Sequence, residues 1–168
     1  AIGKLRHIQG SFTYFNRDPD NMRNKPELGG GGLLDIGVYP TVTSRFVTGQ
    51  EPKRALATLE RDPAFGTDIF ANCQYQFDGF DMSFYCSTQL AARQSMVFHA
   101  DQGFIEINAP FNAEIFDAVT VTLSNQAHNS AQSWSFNAAQ QYTLQVEAFG
   151  RKVAGDMVDL FTLENSKK

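Results

Sequence analysis

The sequence predicts an α+β fold, an open and mostly antiparallel β-sheet with helices on one face. A strand and a helix come first, six or so strand-like segments follow with short turns between them, and a second helix closes the chain. Strands joined by short turns pair antiparallel, and their apolar face has to be covered by another layer. With 168 residues, of which 42% are hydrophobic and 19% charged, the chain is expected to form one domain with its own core.

The first strand is predicted for KLRHIQGSFTYF, residues 4–15, where apolar and polar residues alternate loosely. A polar connection rich in Asn, Asp, Pro and Gly follows at 16–32 and is too long to be a plain turn. From 33 to about 47, apolar side chains recur at helical spacing, and Gly49 then ends the helix. Because Pro40 lies early in this run, the helix either begins near it or kinks there.

Strand signals dominate the second half of the chain. They cover residues 54–61, 67–77, 81–91, 94–100, 103–110, 118–124 and, more weakly, 133–136. Asp78-Gly79 and the three residues 101–103 are hairpin signals. Beyond Gln140 a second helix is predicted. Its apolar face is marked by Tyr142, Leu144 (or Gln145), Phe149 and Val153.

Several strands carry apolar residues in both alternation phases. These residues are Phe70, Cys73, Tyr75, Phe77, Met82, Phe84 and Tyr85. A sheet that is apolar on both faces needs a second cover, which predicts a homodimer packed through the open sheet face.

Composition and spacing argue against several functions. The net charge is −4 with acidic and basic residues interspersed, so nucleic-acid binding is not expected. No apolar run approaches the roughly 20 residues that span a bilayer, and the start lacks a signal-peptide pattern, so we expect no membrane partner and a cytoplasmic location. His7, His99 and His128 have no paired spacing, and no metal site is predicted. Cys73 and Cys86 are either two free core thiols or a disulfide across a hairpin.

The segment GGGGLLDIGVYP, residues 29–40, has three interpretations. The glycines could hold a phosphate, but neither G-x-G-x-x-G after a strand nor the G-K-[S/T] of a P-loop is present. They could instead permit close packing, with Asp35 as a helix N-cap and Tyr39 as a core aromatic. In the third, Asp35 and Tyr39 share one helix face, and the phenol acts as acid or base on a sugar or alcohol oxygen when a nearby cation lowers its pKa.

The full segment is more specific than its parts. Together with FNRDPDNMRN before it and ERDPAFGTD after it, it resembles the Gfo/Idh/MocA family of nicotinamide-dependent oxidoreductases, especially the sugar dehydrogenase branch. The resemblance covers nearly the whole chain. The letters that carry it are Gly30, Gly31, Gly32, Leu34, Asp35, Gly37 and Tyr39.

The resemblance implies a two-domain enzyme in which residues 1–168 form the substrate-binding and dimerisation domain, with the open sheet of a glyceraldehyde-3-phosphate-dehydrogenase-like C-terminal domain. An upstream Rossmann domain would bind NADP or NAD and supply a lysine beside the catalytic pair, Tyr39 and Asp35. Because that domain's G-x-G-x-x-[G/A] and E-K-P motifs are absent here, the isolated chain is expected to be inactive. Arg23 and Asn24 are candidates for substrate binding, or else anchors of their loop.

The expected function is therefore hydride transfer between NAD(P) and a small polyhydroxylated substrate, namely a sugar, a polyol or a dihydrodiol. The alternative is a non-catalytic assembly or ligand-binding module that retains the fold. Both Asp35 and Tyr39 are present although packing requires neither to be polar, which favours the enzyme.

Overall fold

The computed structural model describes residues 2–113, 118–137 and 140–167. Within them, eight strands form a single sheet in the order β2-β3-β4-β1-β5-β6-β7-β8. The strands are β1 (Leu5–Phe15), β2 (Arg54–Arg61), β3 (Asp68–Gln76), β4 (Asp81–Ser87), β5 (Gln89–Ala100), β6 (Gly103–Asn108), β7 (Ala118–Asn125) and β8 (Ala131–Asn137). The helices are α1 (Gly32–Asp35), α2 (Val38–Thr48), α3 (Gln141–Val153) and α4 (Leu163–Ser166).

The sheet confirms the predicted fold class, since neighbouring strands are antiparallel except for the parallel pair of β1 and β4. The two predicted hairpins are present as β3–β4 and β5–β6. None of the described helices is long and apolar enough to cross a membrane. In the same part of the chain, no group of three His, Cys, Asp or Glu side chains could hold a metal ion.

The predicted strand at 81–91 is wrong at its end, because the chain crosses the sheet there. Strand β4 ends at Ser87 on one side of β1, and β5 begins at Gln89 on the other side. The corner residue, Thr88, is buried, and its backbone donates to Ile69 O and accepts from Asn16 N. These backbone bonds fix the corner without a turn residue such as Gly, Pro or Asn, so the sequence showed no break.

The helix predicted from 33 to about 47 is two helices. α1 ends at Asp35 and α2 begins at Val38. A Cβ atom at Gly37 would lie 2.6 Å from the Leu33 carbonyl oxygen, so only glycine fits the turn between the helices. Pro40 lies in the first turn of α2, where a missing N–H group is tolerated. The second helix therefore begins near Pro40, as one of the two predictions had it.

The core lies between the sheet and the segment that contains α1 and α2. Its buried members are Ile8, Phe12, Ile36, Ala71, Cys73, Phe77, Phe80, Met82, Phe84, Cys86, Met96, Phe98 and Phe111.

Cys73 and Cys86 are free thiols in this core, which confirms the first interpretation of the two cysteines. Burial raises the pKa of Cys73 to about 11 and the pKa of Cys86 to about 12, so both remain protonated at neutral pH.

The open face of the sheet is more polar than the sequence pattern predicts. Seven apolar residues were expected to cover both faces of the sheet, and only Phe70 and Tyr85 of these lie on the open face. Their rings stack with centroids 6.1 Å apart. Hydrogen-bonded pairs of polar side chains occupy the central strands, namely His7 with Ser83 and Ser11 with Ser95, each at 2.9 Å. The other five of these apolar residues lie on the opposite face, which α1 and α2 cover. The strand register places their side chains on the same side of the sheet as the core.

Candidate active site

The glycine run of residues 29–32 folds against its own loop. The backbone N–H groups of Gly30 and Gly31 donate to the carbonyl oxygens of Lys25 and Arg23, both at 3.0 Å. A phosphate site needs such N–H groups free and pointing at the anion. The structure therefore contradicts the phosphate interpretation at this run, and a nicotinamide cofactor's phosphates do not fit here.

Close packing explains why the run consists of glycines. Gly31 has φ +129°, and a Cβ atom there would lie 2.2 Å from Asp68 Oδ1. The other carboxylate oxygen of Asp68 accepts from Leu33 N at 2.7 Å, so the carboxylate is fixed where the Cβ would be. A Cβ at Gly30 would lie 2.5 Å from Arg23 O. The glycines thus let the polar loop approach β3 closely, and this approach positions the start of α1.

Replacing Gly31 by alanine is expected to destabilise the fold. The backbone conformation alone should cost about 1–3 kcal/mol, and the contact with Asp68 adds to that. Urea unfolding of the chain measures the loss of unfolding free energy. Gly150→Ala is the matched control, because Gly150 lies inside α3 with open space around it. Its alanine variant should be neutral or stabilised by up to about 1 kcal/mol. An unchanged urea midpoint for Gly31→Ala would contradict the packing argument.

Asp35 lies at the end of α1 and accepts two hydrogen bonds on one carboxylate oxygen. Arg23 Nε donates to Oδ2 at 2.8 Å, and the hydroxyl of Tyr14 donates to it at 3.0 Å. The hydrogen bond to Asp35 raises the pKa of Arg23. Burial, and then the Asp35 charge, raise the pKa of Tyr14, so Tyr14 remains a neutral donor. Asp35 is not a helix N-cap, because α1 begins after Gly31 and α2 after Gly37.

Tyr39 lies in the first turn of α2 and packs among aromatic rings. Its ring meets Phe12 edge-on with centroids 5.1 Å apart, and it meets Phe111 at 5.4 Å. Burial is the largest cause that raises the pKa of Tyr39, followed by Tyr142 and the charge of Asp35, whereas Arg23 lowers it. The phenol is therefore protonated at neutral pH in this chain.

The predicted geometry, with Asp35 and Tyr39 on one face of one helix, is wrong. The turn at Ile36 and Gly37 separates the two helices that carry them. Both side chains nevertheless line one cavity of about 330 Å³. The turn thus brings the pair together in place of a shared helix face.

Of the two predicted substrate-binding residues, only Arg23 lines this cavity. Asn24 is 3% exposed, and its Nδ2 donates to Asn16 Oδ1 at 3.2 Å and to Asp18 O at 2.8 Å. These are the contacts of a loop anchor, which was the alternative for this residue. Arg23 faces the cavity with its guanidinium bound to Asp35.

Several residues of the cavity wall are not predicted from the sequence. Among them are Tyr14, Asn16, Gln94, Asn112 and Tyr142. Signals existed for Tyr14, which shares the alternation phase of Phe12 on β1, and for Asn16, which lies in the segment FNRDPDNMRN that follows this strand. Gln94 comes from β5, Asn112 from the segment after β6 and Tyr142 from α3, and only the tertiary fold brings these three to the cavity.

The fold is also found in a solved oxidoreductase structure. The chain superposes on KijD10, a 3-ketoreductase from Actinomadura kijaniata in complex with NADP and TDP-benzene, with a TM-score of 0.84. That match covers 98% of this chain and 50% of the other, at 23% identity, so it establishes the fold alone.

Residues 1–106 match the family described as GFO/IDH/MocA C-terminal domain, and the chain belongs to this family. It is 36% identical to the oxidoreductase ORF334 of Rhizobium meliloti over 156 residues, which are 90% of this chain and 47% of that protein. It is 25% identical to D-xylose 1-dehydrogenase (NADP(+)) 2 of Haloferax volcanii over 154 residues, 90% of this chain and 46% of that protein. The chain thus spans about half the length of these relatives. The family predicted from the glycine motif is confirmed.

Proposed function

We propose that this chain is the substrate-binding domain of an NAD(P)-dependent oxidoreductase that transfers a hydride to or from a sugar, a polyol or a dihydrodiol. One observation carries the proposal, namely that the side chains of Tyr39 and Asp35 line the same cavity. The related proteins support it, since one is a xylose dehydrogenase that uses NADP(+) and another is a 3-ketoreductase solved with NADP.

The cofactor would be bound mainly by a separate domain, because the glycine run of this chain is not a phosphate site. When bound, the nicotinamide supplies or accepts the hydride. Tyr39 would hold the matching proton at its hydroxyl oxygen. During reduction the protonated phenol donates to the substrate carbonyl oxygen as that oxygen becomes a hydroxyl. Oxidation needs the phenolate, and the resemblance assigns the lowering of its pKa to a lysine of the other domain.

Asp35 would control the charge around Tyr39. Burial and Tyr142 raise the pKa of the phenol most, and the Asp35 carboxylate adds to this effect, which favours the protonated form that reduction needs. The same carboxylate holds Arg23 at 2.8 Å, so the cation is fixed beside the cavity. Phe12 and Phe111 pack against the Tyr39 ring and limit the access of water to one side of the phenol.

Turnover by the full-length protein tests this proposal. Absorbance at 340 nm should change when NADP or NAD is offered with aldoses, inositols or trans-dihydrodiols, and residues 1–168 alone should give no turnover. An absence of turnover with every pair would favour the alternative, a non-catalytic module that retains the fold.

We also propose that the open sheet face forms a homodimer interface, with the stacked Phe70 and Tyr85 as its apolar centre. Light scattering should give twice the monomer mass for residues 1–168. Tyr85→Asp should give the monomer mass, because a carboxylate would be buried without a partner. Leu144→Asp, on exposed α3, is the control and should leave the dimer intact. A monomer at high protein concentration would contradict the interface.

A further inference from the structure

The cavity wall that adjoins Tyr39 and Phe111 is built around a buried carboxamide. Gln94, on β5, is 6% exposed. Its Oε1 accepts from Phe111 N at 3.1 Å and from Asn112 N at 2.9 Å, and its Nε2 donates to Asn112 Oδ1 at 2.6 Å. A buried side-chain amide loses its hydrogen bonds to bulk water and needs partners within the protein. The partners of the Gln94 side chain all lie in one short segment. Gln94 therefore fixes the position of residues 111 and 112.

The same segment is tied to the beginning of α3. Gln141 Nε2 donates to Phe111 O at 2.8 Å, and Gln141 Oε1 accepts from Ala113 N at 3.1 Å. Asn112 Nδ2 donates to the hydroxyl of Tyr142 at 3.4 Å. The buried glutamine, the short segment and the helix thus hold the Asn112 amide and the Tyr142 hydroxyl together on the cavity wall.

These two groups retain hydrogen-bonding capacity. The Asn112 amide nitrogen has a second hydrogen, and the Tyr142 hydroxyl can donate its own proton. Beside them, the wall contains Phe12, whose ring is stacked on buried Phe111 with centroids 5.4 Å apart. The charged groups among the described lining residues are Arg23 and Asp35, and they form an ion pair with each other. Neutral donors beside an aromatic surface suit an uncharged sugar ring better than a phosphate.

We propose that Asn112 and Tyr142 form a subsite that binds hydroxyl groups of an uncharged sugar ring, and that Gln94 is the residue that positions this subsite. The inference rests on the proposed function and adds to it contacts with substrate hydroxyl groups that do not react. Because these contacts are the same in the ground state and the transition state, they should act on KM and not on kcat.

The test uses the full-length protein with D-xylose and D-glucose. Asn112→Ala and Tyr142→Phe should each raise KM about tenfold, as expected for one lost hydrogen bond, with kcat within about threefold of wild type. Gln94→Met should raise KM similarly. Gln94→Glu keeps the two backbone N–H partners but places a second acceptor against Asn112 Oδ1, so it should raise KM as Gln94→Met does. The control, Gln132→Ala on exposed β8, should change neither constant.

The outcomes separate the subsite from the proposed function. If the sugars turn over but KM is unchanged in Asn112→Ala and Tyr142→Phe, or only kcat falls, the subsite is wrong and the function stands. If neither sugar turns over, saturation-transfer NMR of both sugars on the same protein decides the subsite. A signal that Asn112→Ala abolishes supports it, and no signal with wild type overturns it. Tighter binding of D-glucose 6-phosphate than of D-glucose would overturn the uncharged ligand class.

Discussion

Replacing Tyr39 by phenylalanine in the full-length protein should lower kcat about 10²–10⁴-fold, the usual contribution of a general acid or base. The change removes only the hydroxyl, which would hold the transferred proton. The ring should continue to pack against Phe12 and Phe111, because those contacts are made by ring faces and edges. The measurement is steady-state turnover followed at 340 nm, with the melting temperature as a check on folding.

Tyr75→Phe is the matched control for this prediction. Its hydroxyl also lies on the helix face of the sheet, 3.2 Å from Thr41 Oγ1, but Tyr75 does not line the cavity. Its loss should leave turnover within about twofold of wild type. If Tyr39→Phe retains more than a tenth of the wild-type kcat, another group performs the proton transfer and the proposed role of Tyr39 is wrong.

Much of the fold could be predicted because its signals are local. Asp78-Gly79 identified the β3–β4 hairpin, and Gly79 takes φ +88° as a turn glycine does. The parallel pairing of β1 with β4 has no such signal. It joins residues about 70 positions apart, such as Ser11 and Tyr85, and depends on the chain crossing the sheet at Thr88. Pairings of this kind arise from the packing of the whole sheet, and neighbouring residues in the sequence do not indicate them.

The candidate site also has residues that the sequence predicts and residues that only the fold reveals. The glycine motif led to Asp35 and Tyr39, although the turn at Gly37, and not a shared helix face, is what unites them. The hydrogen bond from Tyr14 to Asp35 spans 21 positions, and the contact between Asn112 and Tyr142 spans 30. Polar residues such as Asn112 look like ordinary loop residues in the sequence. Only the fold shows that they adjoin a cavity.

Replacing Asp35 by asparagine should change the pH dependence of turnover as well as its rate. After burial and Tyr142, the carboxylate is the next cause that raises the pKa of Tyr39, and it also neutralises Arg23, whose charge lowers that pKa. Asparagine removes the negative charge and leaves Arg23 uncompensated, so the pKa of Tyr39 should fall. Reduction needs the protonated phenol, so kcat/KM for reduction should be lost at lower pH than in wild type. Because the amide holds Arg23 less firmly, kcat at neutral pH should also fall, by up to about 10²-fold.

Removing the cation should shift the profile in the opposite direction, which makes the pair of variants a sharp test. Arg23→Gln deletes the charge that lowers the pKa of Tyr39. The fall of kcat/KM for reduction at alkaline pH should therefore occur at higher pH than in wild type. Asp81→Asn is the control for a lost carboxylate. Asp81 is exposed at the start of β4, away from the cavity, and its variant should keep the wild-type profile. If Asp35→Asn and Arg23→Gln move the alkaline limb in the same direction, or neither moves it, then the Arg23–Asp35 pair does not set the protonation of Tyr39. The pair would in that case serve only to hold the loop before α1 in place.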